Sequence, residues 1–229
     1  MTLPYNQTVD TSDANAVARF HMIHQQIRPW VVNDVRVIQA LADVRREDFV
    51  PPAAYEVAFM DVDIPLGIDN QIMLAPKVDA RMANDLRIQP TDRVLEIGTG
   101  SGYSAALLGQ VAKEVVTLEI NPELAEMARE NLQSAGASNV TVRVADGSKD
   151  LLAEGPFDVI VLSGSVEVMP EHLLDHLKDG GRLGAIIGTS PVMRFTLVTR
   201  NGSDRIISTP WDYVAPRLSG FARLERFVF

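Results

Sequence analysis

Between Val94 and Ala105 the chain reads VLEIGTGSGYSA. An apolar run leads into Gly98, Thr99, Gly100, Ser101 and Gly102, with glycine at every second position, and then into a helix-forming segment. Three carboxylates stand in order around this loop. Glu96 precedes the first glycine, Glu119 ends the next apolar run, and Asp146, followed by Gly147, ends the one after. Glycines at a strand end let a ligand approach the backbone closely. The dinucleotide fingerprint G-x-G-x-x-G needs a glycine where this chain has Tyr103, which disfavours a pyrophosphate. A carboxylate at Glu96 repels phosphate and welcomes a cationic amine, directly or through water. Glu119 lies where an acid receives a ribose diol. Asp146 suits an adenine amino group. Taken singly each residue has a plainer reading, Glu119 as a solvated helix-entry acid and the glycines as a bare turn. In order at successive strand ends they select S-adenosyl-L-methionine, a ligand with an ammonium, a ribose, an adenine and no phosphate.

The elements that must carry these residues follow from hydrophobic periodicity. RVLEI, EVVTLEI, NVTVRVAD, FDVIVLSG and GRLGAIIG read as strands, with helices PELAEMARENLQSAG and PEHLLDHLK between them. Strands alternating with helices predict right-handed crossovers and a doubly wound, mostly parallel α/β sheet. RFTLVTRNGSDRIIS reads as a C-terminal antiparallel hairpin turning at Asn201-Gly202, and ARLERFVF as a last edge strand. Ahead of the sheet, a helix capped by Ser12 or Asp13 runs to about Arg28 and is stopped by Pro29; a second follows Asn33; a short one starts near Pro51-Pro52; a third opens at Pro76. DVDIPLGIDNQIMLAP reads as a loop. The expected organisation is a flexible stretch over 1–12 and one domain over 13–229. Within it, an N-terminal helical part (13–88) packs on a cofactor-binding sheet (89–229).

The net charge of −9 on 229 residues disfavours a nonspecific nucleic-acid binder. The absence of cysteine excludes disulfides, thiolate catalysis and cysteine metal sites. No secretory signal or membrane-length apolar run is found, so a cytoplasmic location is expected, with no membrane partner. His172 and His176, at i and i+4, lack a third ligand, so no metal is expected. His21 and His24 read as packing residues, as do Trp30 and Trp211.

EIGTGSG matches the E-x-G-x-G-x-G motif of the class I methyltransferases position for position. That resemblance implies a Rossmann-like, seven-stranded sheet and S-adenosyl-L-methionine as cofactor, with Ile120 and Ser163 joining the residues named above at its site. The stretch His24–Gly67 is more specific. Gln26-Ile27-Arg28, Asp34-x-Arg36-Val37, Val44-x-Arg46, Phe49-Val50-Pro51, Tyr55 and Pro65-x-Gly67 resemble the protein-L-isoaspartate O-methyltransferase family. Asp146-Gly147, Phe157-Asp158 and Gly180-Gly181-Arg182-Leu183 continue the resemblance downstream. It implies protein repair by methylation of isoaspartyl carboxylates, with a damaged protein or peptide as substrate. The family's loop G-x-G-Q-T-I-S-x-P corresponds here to GIDNQIMLAP, which is one residue longer. Leu74 falls at the serine position and Ile72 at the threonine position. Ser163 and Ser165 are the candidate substitutes for the lost hydroxyl. Gln71, Ile72, Met73, Tyr213 and Arg217 are candidate acceptor contacts. Losing one hydrogen bond to a charged group costs about 1.5–3 kcal/mol, which slows transfer without abolishing it. Two alternatives accompany this expectation: a small-molecule methyltransferase on the same scaffold, and a cofactor-binding homologue without catalysis.

Overall fold

The computed structural model of the chain describes residues 9–149 and 155–224. Helix α1 (Ala14–His21) starts where Asp13 accepts hydrogen bonds from the amides of Asn15 and Ala16. It does not stop at Pro29. It widens into a π-helical turn over Met22–Ile27 and tightens into a 3₁₀ turn over Arg28–Trp30, where a proline near the first position lacks no needed N–H. Helix α2 (Val35–Asp43) is capped by Asp34, whose side chain accepts from the Arg36 amide. A 3₁₀ turn (Arg46–Asp48) and a 3₁₀ helix (Pro52–Val57) follow.

The stretch expected to be a plain loop holds a small hairpin, β1 (Ile64–Pro65) and β2 (Ile72–Met73), paired antiparallel. The amide of Leu66 donates to the Gln71 carbonyl at 2.9 Å, and that of Gln71 to the Ile68 carbonyl at 2.8 Å, closing the connection. Helix α3 (Pro76–Leu86) then leads to the sheet.

The chain alternates through β3 (Arg93–Ile97), α4 (Tyr103–Val111), β4 (Glu114–Glu119), α5 (Pro122–Ser134), β5 (Val140–Val144) and β6 (Phe157–Val166). A helix expected through Lys178 is only α6 (Glu171–Leu174), because Leu177 is already paired with Phe157 in the sheet. Strands β7 (Leu177–Thr189), β8 (Val192–Asn201) and β9 (Asp204–Asp212) complete seven strands in the order β5-β4-β3-β6-β7-β8-β9. The first five run parallel, and β8 and β9 fold back antiparallel as the expected hairpin. Of the expected edge strand over the last eight residues, 222–224 form no strand and 225–229 lie outside the described residues; so do 1–8 of the stretch expected to be flexible. No helix among the described residues is long and apolar enough to cross a membrane.

One apolar core joins the N-terminal helices, α3 and α4 to one face of the sheet; a second covers the other face around Ile160 and Leu173. The order of strands reverses between β3 and β6, and ligands of open α/β sheets bind at such a switch point, beyond the carboxyl ends.

Candidate active site

A cavity of about 270 Å³ opens at that switch point, lined from the carboxyl ends of β3, β4, β5 and β6. From β3 come Ile97, Gly98 and Gly100; from β4, Glu119, Ile120 and Asn121; from the turn after β5, Gly147; from β6, Ser163. The glycine loop takes left-handed φ values at Gly98 (95°), Gly100 (54°) and Gly102 (89°). At Gly98 a Cβ would lie 2.7 Å from a Leu218 methyl, and at Gly102 it would press on Ala128 and Leu132 of α5. The first glycine therefore admits the C-terminal segment and the third admits a neighbouring helix.

Glu119 is held by two backbone donors. Gly100 N–H reaches one carboxylate oxygen at 2.9 Å and Asn121 N–H the other at 3.0 Å. These bonds fix the carboxylate plane and leave lone pairs for a ligand diol. Ile97, Leu118, Ile120 and Leu124 supply apolar wall beside it. Glu96, by contrast, is wholly buried beneath the cavity and absent from its lining. Its oxygens accept from Ser163 Oγ at 2.6 Å and Thr117 Oγ1 at 2.7 Å. Thr99 Oγ1 lies 2.6 Å from Thr117 Oγ1, and Ser104 Oγ lies 3.3 Å from Ser163 Oγ. Burial, with the nearby Glu119 charge, pushes the Glu96 carboxyl above its ordinary range, and the hydroxyls of Ser163, Thr117 and Ser104 oppose the push. Glu96 thus meets the cavity through Ser163. Thr117 and Ser104 were not singled out from the sequence; lone hydroxyls in an apolar strand and a helix start give no motif.

Asp146 is turned into a local turn. Its carboxylate accepts from the Ser148 amide (3.0 Å), Ser148 Oγ (2.6 Å) and Lys149 Nζ (2.8 Å). Burial raises its carboxyl, but the Lys149 and Ser148 bonds outweigh that and hold it below the usual range.

The roof comes from two segments. The hairpin loop contributes Asp69, Gln71 and Ile72. Asp69 and Asn70 both have positive φ (46° and 54°), and Asn121 Nδ2 donates to Asp69 at 2.6 Å, tying roof to floor. Met73 and Leu74 face the core, both 5% exposed, and line no part of the cavity. The residue at the family's serine position is therefore a packing residue here. The C-terminal segment contributes Leu218 and Ser219. Ser165 anchors it: its hydroxyl donates to the Ala215 carbonyl at 2.8 Å, its amide to the Pro216 carbonyl at 2.7 Å, and its carbonyl accepts from Leu218 N–H at 2.9 Å. That hydroxyl is committed away from the cavity, so of the two candidate serines only Ser163 lines it. Arg217 pairs with Glu167. Tyr213 lies outside the lining, its hydroxyl donating to Asp63 at 2.9 Å, and burial with the Asp63 charge drives its pKa upward. No metal-binding cluster of acids and histidines occurs among the described residues.

The family profile of protein-L-isoaspartate(D-aspartate) O-methyltransferase (PCMT) matches residues 18–215. A protein-L-isoaspartate O-methyltransferase from Koribacter versatilis is 39% identical over 197 residues, 86% of this chain and 88% of that protein. One from Methanoculleus marisnigri is 42% identical over 170 residues, 74% of this chain and 77% of that protein. In fold, the chain is similar to a PCMT structure from Plasmodium falciparum in complex with S-adenosyl-L-homocysteine (TM-score 0.77, 18% identity, 90% of this chain and 99% of that one). The match over most of the chain, on a sheet whose strand ends enclose the glycine loop and Glu119, has one reading: the chain belongs to the protein-L-isoaspartate(D-aspartate) O-methyltransferase family.

Proposed function

We propose that the chain transfers a methyl group from S-adenosyl-L-methionine to the free carboxylate of isoaspartyl residues in damaged proteins and peptides. The observation that carries this reading is the Glu119 carboxylate, held by two backbone amides in a cavity that Ile97, Leu118, Ile120 and Leu124 line beside it. That donor set fits an adenosyl group: Glu119 for the ribose hydroxyls, Ile97, Leu118, Ile120 and Leu124 for the base, and Ser163 for the amino-acid end.

When bound, the cofactor supplies a methyl carbon already activated by its sulfonium. The acceptor carboxylate is already anionic, so no residue has to remove a proton. The protein's work is alignment and exclusion of water. The Ser163 hydroxyl donates a hydrogen bond to Glu96 and so turns oxygen lone pairs toward the cavity, which suits an ammonium. Ile72 and Leu218 form the walls between which the acceptor approaches. Tyr213 and Arg217 brace the C-terminal segment behind it.

A second reading has one observation on its side. With Ile72 lining the roof and Leu74 turned into the core, the loop offers hydrocarbon where the family offers hydroxyls, which favours a less polar, small-molecule acceptor. Steady-state transfer of labelled methyl to an isoaspartyl peptide, beside a protein-free metabolite fraction, separates the two. Base-labile label on the peptide supports the first; label only in the metabolites supports the second.

A further inference from the structure

The peptide unit between Leu74 and Ala75 is gripped at both ends by ionisable side chains. Its carbonyl accepts from Arg46 Nη2 at 2.7 Å, and its N–H donates to Asp63 Oδ1 at 2.8 Å. Arg46 is wholly buried. Burying a guanidinium is costly unless it is paired and hydrogen-bonded. Its Nε donates to the Ala58 carbonyl at 3.0 Å, and its Nη1 stands 3.7 Å from Asp79. The guanidinium also lies over the Tyr103 ring, 4.7 Å from its centre. Tyr103 is the first residue of α4, directly after the glycine loop. Asp63 Oδ1 takes a second bond, from the Tyr213 hydroxyl at 2.9 Å. One peptide unit of the roof is thus tied to the floor's first helix through Arg46 and to the C-terminal segment through Asp63. Charge-assisted bonds at both ends hold it more firmly than neutral ones would.

We propose that Arg46 and Asp63 are positioning residues for methyl transfer, clamping the Leu74–Ala75 peptide so that Ile72 and the rest of the roof loop sit in register over the cavity. This rests on the reading of the chain as an isoaspartyl methyltransferase. Neither residue lines the cavity, and the groups assigned to the cofactor, Glu119 and Ser163, stand on the strand ends of the floor, so the clamp governs where the acceptor meets the cofactor more than how tightly the cofactor binds.

The test compares Arg46→Met, Arg46→Lys, Asp63→Leu and Asp63→Asn in the full chain. Three quantities are read: hydrogen exchange of the 66–75 amides, the Kd of S-adenosyl-L-homocysteine, and kcat on an isoaspartyl peptide. Arg46→Met and Asp63→Leu are expected to speed exchange at least tenfold and lower kcat at least tenfold, with Kd within threefold of the parent. Asp63→Asn keeps an acceptor oxygen and is expected within threefold of the parent throughout. Arg46→Lys, which reaches one carbonyl only, is expected in between. Parental exchange and kcat in Arg46→Met and Asp63→Leu overturn the proposal, as does Asp63→Asn being as damaging as Asp63→Leu. If Arg46→Met does not fold, the Asp63 pair decides. If the parent itself leaves isoaspartyl peptides unmodified, the proposed function falls; the exchange readout, which needs no acceptor, then decides the clamp alone.

Discussion

The floor of the cavity is made of strand ends, and its roof of two loops tied down by side chains. On the floor, the parallel ladders of β3, β4, β5 and β6 fix the backbone, and a few polar groups face upward from it. In the roof no long ladder exists. The two-residue strands β1 and β2, the Asp69–Asn121 bond, the grip of Arg46 and Asp63 and the Ser165 anchor do that work instead. The difference teaches where change is tolerated. On the proposed function, floor residues answer to the cofactor through fixed geometry, whereas roof residues are free to exchange hydroxyl for hydrocarbon while the backbone path is kept.

If that division is right, floor substitutions act on cofactor affinity and act strongly. Glu119→Ala removes the oriented carboxylate and leaves Gly100 N–H and Asn121 N–H without their acceptor. Calorimetry with S-adenosyl-L-homocysteine should show a loss of about 10- to 150-fold, from about 1.5–3 kcal/mol for a charged hydrogen bond. Parental affinity in this variant would put the cofactor elsewhere.

The two serines sharpen the contrast. Ser163→Ala strips a hydroxyl from the lining and leaves buried Glu96 with one fewer donor, so cofactor affinity should fall about tenfold. Ser165→Ala loosens the C-terminal anchor and should act on Tm more than on cofactor affinity. Equal losses of affinity in both would erase the distinction between lining and anchor.

A buried group between the two regions gives a pH signature. Burial pushes the Asp79 carboxyl from 3.8 to about 7, with Arg46 opposing and Glu96 and Asp63 reinforcing. The folded chain therefore binds this proton more tightly than the unfolded chain. The stability it contributes is complete below the unfolded value and is lost as pH rises to about 7. Asp79→Asn should flatten the decline of Tm between about pH 4 and 7. An unchanged slope would show that Asp79 is ionised throughout.

The smallest effect is expected at Leu74. Its side chain packs in the core, so Leu74→Ser should cost stability through the unfilled space and raise transfer no more than a few fold. A tenfold gain in kcat would mean that the roof loop reaches the cavity in a way its buried side chain does not suggest.

The floor was legible in the sequence because it is periodic. Apolar strands, glycines at every second position and acids at strand ends each leave a local pattern, and the fold places Gly98, Glu119, Gly147 and Ser163 around one cavity. The roof was less legible. Residues 61–76 read as a loop because two-residue strands carry no period, and the family's serine position pointed to Leu74, which is buried, whereas Gln71 and Ile72, also named from the sequence, do line the cavity beside the unforeseen Asp69. The hydrogen bonds of Arg46, Asp63 and Ser165 span 12 to 150 positions of chain and have no local signature. The helix cut short at Leu174 failed for a tertiary reason, the pairing of Leu177 with Phe157.

The most direct test presents the parent chain with two peptides of one sequence, one carrying isoaspartate and the other aspartate, together with S-adenosyl-L-methionine. Mass spectrometry then locates the ester. The result expected is a methyl ester on the isoaspartyl carboxylate and none on the aspartyl peptide. Binding of S-adenosyl-L-homocysteine with no ester on either peptide would contradict it.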